Sequence, residues 1–424
     1  MKALRCAAPV LVAALVIALV TALGAPAQAG EPLTGRHADP QGRTAIIIGQ
    51  TADGIRDYVL DSRLPLPWGL TLYVTPKLDS AGFTLADGSK SVNDVRYRVD
   101  YGPQDLGFLS QTPALRKAAL AVGYWLGAGG GLDVDLATGS NISGLNDGQR
   151  LWANTQRMIA DLKATGRPVL LRIGYEAEGP WNGHWPPAYR QVWLKMRQEI
   201  RRQGADNIAT VWQLAAFCPA MDYWDGGITP GRLVAARPVA APGKSGVQSV
   251  SADDPGAVYD QWYPGDDAVD WTAISVFNPQ DCSDGYATLQ KVVDYLGAKG
   301  KPILVAEAAA RGYDYDPASG RYAYQQTGQV TRSQLTPAQV WQEWYAPFLQ
   351  FLRRNRESIR AVAMISDDWT RYPHWQCRLD AQGRRIEGCA EGNWGNTRLD
   401  VDPQIRARWL AELTADGRWL KDRP

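Results

Sequence analysis

Eight short apolar segments, spread along the chain and separated by helical patterns, constrain this sequence more than any other feature. They are Thr44–Gly49, Gly69–Thr75, Ala119–Leu126, Val169–Tyr175, Ile208–Ala215, Val269–Phe277, Pro302–Ala308 and Ile359–Ser366. Each is too short for a buried helix and rich in aliphatic residues, as a strand covered on both faces requires. Helical patterns lie between them at Gly54–Ser62, Asp147–Thr165, Ala188–Gln203, Tyr286–Lys299 and Ala338–Asn355, and Pro403–Leu413 closes the series. Trp152, Thr155, Ile159 and Leu162 share one face of the second pattern, and Tyr189, Val192, Met196 and Ile200 one face of the third. Strand–helix alternation of this length predicts an α/β fold, a (β/α)8 TIM barrel in a single domain spanning residues 30–424. Two stretches do not fit the pattern. Lys77–Arg116 has weak periodicity, and Phe217–Asp267, rich in Gly, Pro and Ala, is too long for an ordinary connection.

The first 29 residues read as a signal peptide. Lys2 and Arg5 precede an apolar run from Val10 to Leu23, and Ala27-Gln28-Ala29 forms a small-x-small cleavage site. Cleavage after Ala29 and a secreted or periplasmic protein are expected, with no later run long enough to span a membrane. Four cysteines follow, Cys218, Cys282, Cys377 and Cys389. Cys377 and Cys389 bracket a turn-rich segment, so a local bridge between them is expected, leaving Cys218 with Cys282.

A net charge of +1 argues against nucleic acid and anionic membranes as partners, and three histidines in 424 residues argue against a His-rich metal site. The unusual count is 17 Trp against 6 Phe. Indole offers a flat apolar face with a polar edge, suited to the C–H faces of sugars.

In such barrels the reacting groups sit at the carboxyl ends of the strands. Those ends carry Tyr124 and Trp125; Tyr175, Glu176 and Glu178; Trp212 and Gln213; Phe277 and Asn278; Glu307; and Asp367, Asp368 and Trp369. Carboxylates, aromatics and amides on one rim suit cleavage of a glycosidic bond, which needs two carboxyl groups across the scissile linkage. The loop after the fourth segment adds Trp181, Asn182, His184 and Trp185, at least one of which is expected to touch a sugar. Trp369 is expected to stack under the cleaved sugar, and Trp125 to contribute to binding. Asp281 and Asp284 are weak candidates. Gly127–Gly131 lacks the Lys-Ser/Thr of a phosphate loop, and Asp133 and Asp135 read as an Asp-rich turn rather than a calcium site.

Strand parity refines these choices, because side chains alternate between faces. With Glu176 facing inward, Arg172 does too, as a buried charge that needs a carboxylate partner. Arg172 therefore reads as a supporting group more than a direct ligand. Glu178 shares the parity of Glu176 and competes with it. Glu307 shares parity with Ile303 and Val305, and Trp369 with Ala361, Ala363, Ile365 and Asp367. Trp212 and Gln213 have opposite parity, so one of them faces inward.

Leu171–Glu176, Pro180-Trp181-Asn182, Tyr189-Arg190, Asn207–Gln213, Tyr263–Asp267 with Val269-Asp270-Trp271, and Lys301–Glu307 run in an order and spacing that resembles glycoside hydrolase family 26, the β-mannanase family of the retaining barrel glycosidases. The resemblance implies a retaining mechanism with Glu176 as acid/base and Glu307 as nucleophile. It also implies an endo-β-1,4-mannanase or related β-glycanase, a polysaccharide or oligosaccharide partner and no cofactor or metal. A monomer is expected. The chain departs from the family pattern at Tyr175, where histidine is usual, and at Phe277, where tyrosine is usual, with Asn278 as a substitute donor. These departures bear on substrate. The alternatives are a glycosidase of the same clan acting on xylan, glucan or a microbial wall polysaccharide, and a barrel that binds glycan without cleaving it.

Overall fold

Eight parallel strands close on themselves in the computed structural model, whose described residues are 40, 42–61, 63–74, 83–84, 90–91, 115, 117–126, 132–140, 148–218, 231–238, 245–277, 284–326, 329–372, 394–415 and 417–421. The strands are β1 (Thr44–Gly49), β2 (Gly69–Val74), β3 (Ala119–Tyr124), β4 (Val169–Ile173), β5 (Ile208–Leu214), β6 (Trp271–Val276), β7 (Ile303–Ala308) and β8 (Ile359–Ile365). Each pairs in parallel with the next, and β8 pairs with β1, so the sheet has no free edge. This is the (β/α)8 barrel expected from the alternation. A short strand, Trp419–Leu420, adds to the start of β1 in parallel.

The strand faces divide the apolar residues into two layers. Ala45, Ala119, Ala121, Ala209, Ala273, Ala306, Ala361 and Ala363 pack inside the barrel with Ile47, Leu170, Val211, Leu304, Trp68 and Trp271. Alternate residues such as Ile46, Ile48, Leu171, Ile173, Ile274 and Val305 pack outward against the helices. Helices Ala52–Leu60, Gly148–Ala164, Pro186–Arg202, Ala287–Gly297 and Pro403–Ala415 lie close to the predicted positions. The predicted helix at Ala338–Asn355 runs from Pro337 to Arg354 with a π turn over Trp341–Tyr345. A Thr336 capping box starts it.

Plain alternation fails at one position that matters. Ile303 and Val305 pack outward, so an unbroken β7 would send Glu307 outward with them. The register between β6 and β7 slips after Ile274↔Val305, and Ser275 pairs with Glu307. The β7–β8 register slips over the same residues, from Val305↔Val362 to Ala308↔Met364. A β-bulge inserts one residue and re-aims the side chains that follow, which turns Glu307 to the inner face.

Three features escape the sequence pattern. Leu132–Thr138 is a helix rather than an Asp-rich turn, with Asp133 and Asp135 in its first turn. The long interruption after β5 contains an antiparallel hairpin, Arg232–Pro238 with Ser245–Ser251. Between β7 and its helix lies a three-stranded antiparallel sheet of Tyr313–Asp316, Arg321–Gln326 and Gln329–Leu335. Most of Lys77–Arg116, Gly127–Gly131, Asp281, the segment up to Ala29, and at least one partner of each expected disulfide fall outside the described residues. No helix among the described residues is long and apolar enough to cross a membrane.

At the barrel's amino end a buried ion pair ties the helix Pro186–Arg202 to the start of β6. Arg197 donates to both carboxylate oxygens of Asp270, at 2.5 and 3.0 Å, and the Thr210 amide donates to Asp270 at 2.9 Å. Both partners are under 6% exposed. Removing one leaves the other charged and dry. Arg197→Ala is expected to lower the unfolding free energy in a urea titration by about 3–5 kcal/mol; a loss under about 1 kcal/mol would show the pair to be neutral.

Candidate active site

The inner residues above the alanine-lined lumen are polar, and they converge on Arg172. Its side chain is fully buried. Nη1 donates to Glu307 Oε1 at 2.8 Å and to Gln213 Oε1 at 3.2 Å, and Nη2 donates to Thr71 Oγ1 at 2.9 Å. The guanidinium lies 4.7 Å from the ring centre of Tyr73 and 5.6 Å from that of Tyr175, and the two rings meet edge to face at 5.2 Å. Room for this stack comes from Gly123 on β3: a Cβ there would sit 2.6 Å from the Tyr73 ring and 3.0 Å from Arg172 Nη2. Arg172 thus has the carboxylate partner its burial demands, and that partner is Glu307.

Glu307 takes a second donor on the same oxygen, Gln213 Nε2 at 3.2 Å. Two N–H donors on one oxygen suit an anionic carboxylate. Glu176 has a different setting. Ser275 Oγ donates to its Oε1 at 2.8 Å and Trp181 Nε1 to its Oε2 at 2.7 Å. Part of its surface is exposed, but the protein crowded round it and the negative charge of Glu307 push its pKa up to about 8. Glu176 therefore holds a proton at neutral pH. Gln213 Nε2 also donates to Ser275 Oγ at 3.0 Å, so hydrogen bonds link Glu176 to Glu307 through Ser275 and Gln213. Those three bonds cap the distance between Glu176 Oε1 and Glu307 Oε1 at 9.0 Å.

The backbone turns sharply to present Glu176. Gly174 has φ +54°, and a Cβ there would meet the Tyr189 ring at 2.6 Å. Glu176 itself has φ +52°, a left-handed conformation that side-chain-bearing residues rarely adopt. Strain at a non-glycine residue marks a position held by its surroundings, here beside the cleft. Asn182 helps hold it, its amide donating to the carbonyls of Tyr175 at 2.9 Å and Glu176 at 3.1 Å. Glu178 is fully buried, its carboxylate taking the backbone amides of Ala215 and Ala216 at 3.0 and 2.9 Å.

The other sequence candidates separate clearly. Trp181 touches Glu176, as above, and meets Phe217 edge to face at 5.7 Å. Trp125 and Trp185 are half-buried against the outer core, and the Trp185 amide donates to Asp133 Oδ2 at 2.8 Å. His184 is buried against Tyr189, its ring nitrogens have no hydrogen-bond partner among the described residues, and burial drops its pKa to about 3. Gln213 faces inward, so Trp212 faces out: it is fully buried against Tyr263 at 4.8 Å. Trp369 is also fully buried, in a cluster with Phe277, Ile365, Tyr372 and Trp394, and its Nε1 donates to Thr397 at 3.2 Å. Neither Trp212 nor Trp369 offers a sugar an open ring face, which corrects the stacking expectation for Trp369 and sets Trp212 aside as a sugar contact. Asn278 lies outside the described residues, and no group of three or more His, Cys, Asp or Glu poised for a metal occurs among the described ones.

Sequence reasoning passed over Ser275, Tyr73 and Thr71. The signal for Ser275 was present: it shares the parity of Trp271 and Ala273 on β6. Tyr73 and Thr71 lie near the end of β2 on the face of Gly69.

No family model matches the chain. A β-1,3-xylanase from Alcaligenes sp is 29% identical over 402 residues, covering 93% of this chain and 68% of that protein. A second, β-1,3-xylanase TXYA from Vibrio sp, is 29% identical over 411 residues, covering 95% and 71%. Among solved structures, the catalytic domain of the family 26 endo-β-1,4-mannanase from Bacillus sp. JAMB-750 is 14% identical, with a TM-score of 0.47 over 89% of this chain and 87% of that one. A family 26 β-mannanase from Bacteroides ovatus is 12% identical, with a TM-score of 0.46 over 90% and 92%. The chain resembles family 26 glycosidases in its motifs, and both of the curated relatives named here are β-1,3-xylanases.

One rim carboxylate outside this network offers a test of the electrostatics. Asp367, at the end of β8, is fully buried. Thr51 Oγ1, which also caps the first helix, donates to Asp367 Oδ2 at 2.5 Å. Burial pushes the Asp367 pKa up to about 7. A carboxyl group with a raised folded pKa stabilises most below its unfolded value and loses that contribution as pH rises through the folded one. Asp367→Asn mimics the protonated form. In denaturant titrations it is expected to remove part of the fall in stability between about pH 4 and 7, and to gain on the order of 1 kcal/mol at pH 8. A loss at pH 8 would show that the charged form is the one the fold prefers.

Proposed function

We propose that this chain is a retaining glycoside hydrolase acting on a β-linked polysaccharide, with β-1,3-linked xylan the first substrate to test and β-mannan the second. The observation that carries the reading is the contrast between two linked carboxylates at the ends of β4 and β7. Glu307 is bonded to donors, including a buried guanidinium. Glu176 is pushed up to about pKa 8, chiefly by burial. One is set to attack and the other to donate a proton, the division of labour that glycosidic cleavage needs. The names of the two curated relatives favour xylan over the mannan expected from the motif resemblance alone.

In the first step Glu307 attacks the anomeric carbon while Glu176 gives its proton to the departing glycosidic oxygen. A glycosyl ester on Glu307 results. In the second step Glu176, now a carboxylate, takes a proton from water, and the water oxygen displaces Glu307 from the anomeric carbon. The sugar leaves with its configuration retained and Glu176 regains its proton. A retaining site requires roughly 5–5.5 Å between the two carboxyl groups, and the hydrogen-bonded path leaves room for that spacing. Export fits this role: the amino-terminal segment reads as a signal peptide, and Cys218 is disulfide-bonded, as suits an oxidising compartment.

The assay is a panel of β-1,3-xylan, β-1,4-xylan, β-mannan and β-glucans, with product analysis. Release of reducing sugar from one of them is expected; no turnover on any would move the assignment to a glycan-binding barrel. Glu307→Ala and Glu176→Ala should each cost at least about 10²–10⁴ in kcat/KM. With an activated aryl glycoside, azide should restore turnover to Glu176→Ala and yield a glycosyl azide of retained configuration, whereas inverted product from that variant would exchange the two roles. Cleavage needs the protonated form of Glu176, so kcat/KM should fall as pH rises through about 8. A rate undiminished at pH 10 would remove Glu176 from the acid role.

A further inference from the structure

Two polar side chains, Gln213 and Ser275, link the two carboxylates, and the directions of their hydrogen bonds are settled by their neighbours. Arginine has donors only. The Gln213 atom 3.2 Å from Arg172 Nη1 is therefore Oε1, which turns Nε2 toward Glu307 Oε1 at 3.2 Å and Ser275 Oγ at 3.0 Å. With an amide N–H arriving at its oxygen, Ser275 points its own hydrogen at Glu176 Oε1, 2.8 Å away. We propose that Ser275 is a positioning residue for Glu176: its hydroxyl, oriented by Gln213 and Arg172, holds Oε1 and adjusts how tightly Glu176 binds its proton. The role in turnover rests on the hydrolase reading above; the orientation and its effect on the proton do not.

Chemistry distinguishes Ser275 from the other partner of Glu176. Trp181 Nε1–H can only donate, so it requires Oε2 to remain an acceptor in both protonation states. A hydroxyl can donate or accept. When Glu176 is ionised Ser275 donates to Oε1; when Oε1 carries the proton Ser275 rotates and accepts a hydrogen bond from the Oε1–H. The proton is thereby assigned to Oε1, and the carboxyl group keeps its orientation through the cycle.

The balance of forces on Glu176 explains why such a group is needed. Burial raises its pKa, and two charges raise it further, Glu307 from β7 and Glu178 from its own loop. The hydrogen bonds from Ser275 and Trp181 act in the opposite sense. Arg172 of β4, Tyr73 of β2 and Tyr175 face Glu307 or one another in the same cluster. Ser275 thus keeps the acid from binding its proton too tightly to release it.

The test titrates Glu176 directly in protein labelled with [13C]glutamate, the resonance being identified by its loss in Glu176→Gln. In Ser275→Ala the midpoint should rise by about one pH unit or more. In Ser275→Thr, which keeps the hydroxyl, it should stay at the wild-type value. An unmoved midpoint in Ser275→Ala overturns the proposal whatever the protein's activity. On the substrate found by the polysaccharide panel, Ser275→Ala should lower kcat about tenfold with KM changed less than about twofold. Its alkaline limb should move up with the midpoint, and Ser275→Thr should restore both. Equal loss in the Ala and Thr variants with an unmoved limb would reduce Ser275 to a packing role. Full activity in Glu176→Ala would instead remove Glu176 from the acid/base role while leaving the titration result standing.

Discussion

The rim of this barrel is organised by one buried cation. Arg172 sits inside a closed sheet, where an unpaired charge would cost several kcal/mol. Its surroundings meet that demand at both Nη atoms. Glu307 supplies the opposite charge, Gln213 and Thr71 supply oxygen acceptors, and Tyr73 lays its ring against the guanidinium. The neighbouring strand gives up a side chain altogether at Gly123. The bulge in β7 is part of the same solution, because without it Glu307 would follow Val305 to the outer face and leave Arg172 unpaired. A substitution at any of these positions has to answer to the others.

Two carboxyl groups in the same rim consequently live in different electrostatic settings. The cation is spent on Glu307, and among the described residues Glu176 receives neutral donors, a hydroxyl and an indole N–H. Burial and the anion across the cleft then favour its protonated form. The asymmetry needs no second cation and no metal-like charge to sustain it. It follows from which strand carries the arginine, and it is the electrostatic ground on which the proposed division of roles rests.

The repeating part of this structure was legible in the sequence because strand burial on both faces writes continuous aliphatic runs, and the eight barrel strands fall where those runs are. The hairpin after β5 and the sheet after β7 were not. Their strands, such as Tyr313–Asp316 and Arg321–Gln326, alternate polar and aromatic residues without a sustained apolar run. The site was legible in part. Glu176, Glu307, Arg172 and Gln213 were singled out by strand-end position and parity and Trp181 by its loop beside Glu176, and the structure brings them together. Trp212 and Trp369 misled because indole serves a core as well as it serves a ligand. Glu307 faces Arg172 on the inner side for a reason alternation alone cannot supply, since a bulge has no signature in a single run of apolar residues.

Glu176 and Glu178 pose the sharpest question, being two residues apart with the same parity. The structure separates them by what their oxygens touch. Glu178 closes on the amides of Ala215 and Ala216, and Ala216 has φ +51°, a conformation an alanine does not adopt unaided. The carboxylate is the clamp that holds this turn after β5, and the backbone carbonyl of Glu178 accepts from Ala236 in the hairpin beyond. A group committed in this way cannot swing toward a leaving oxygen, whereas Glu176 is held only by side chains, one of which can reverse its hydrogen bond. The loop after β4 therefore uses one glutamate to fix its own shape and presents the other, at φ +52°, to the cleft. Glu178→Gln should accordingly disturb folding before it disturbs any pH profile, because an amide can accept only one of the two backbone N–H groups and would set its own N–H against the other.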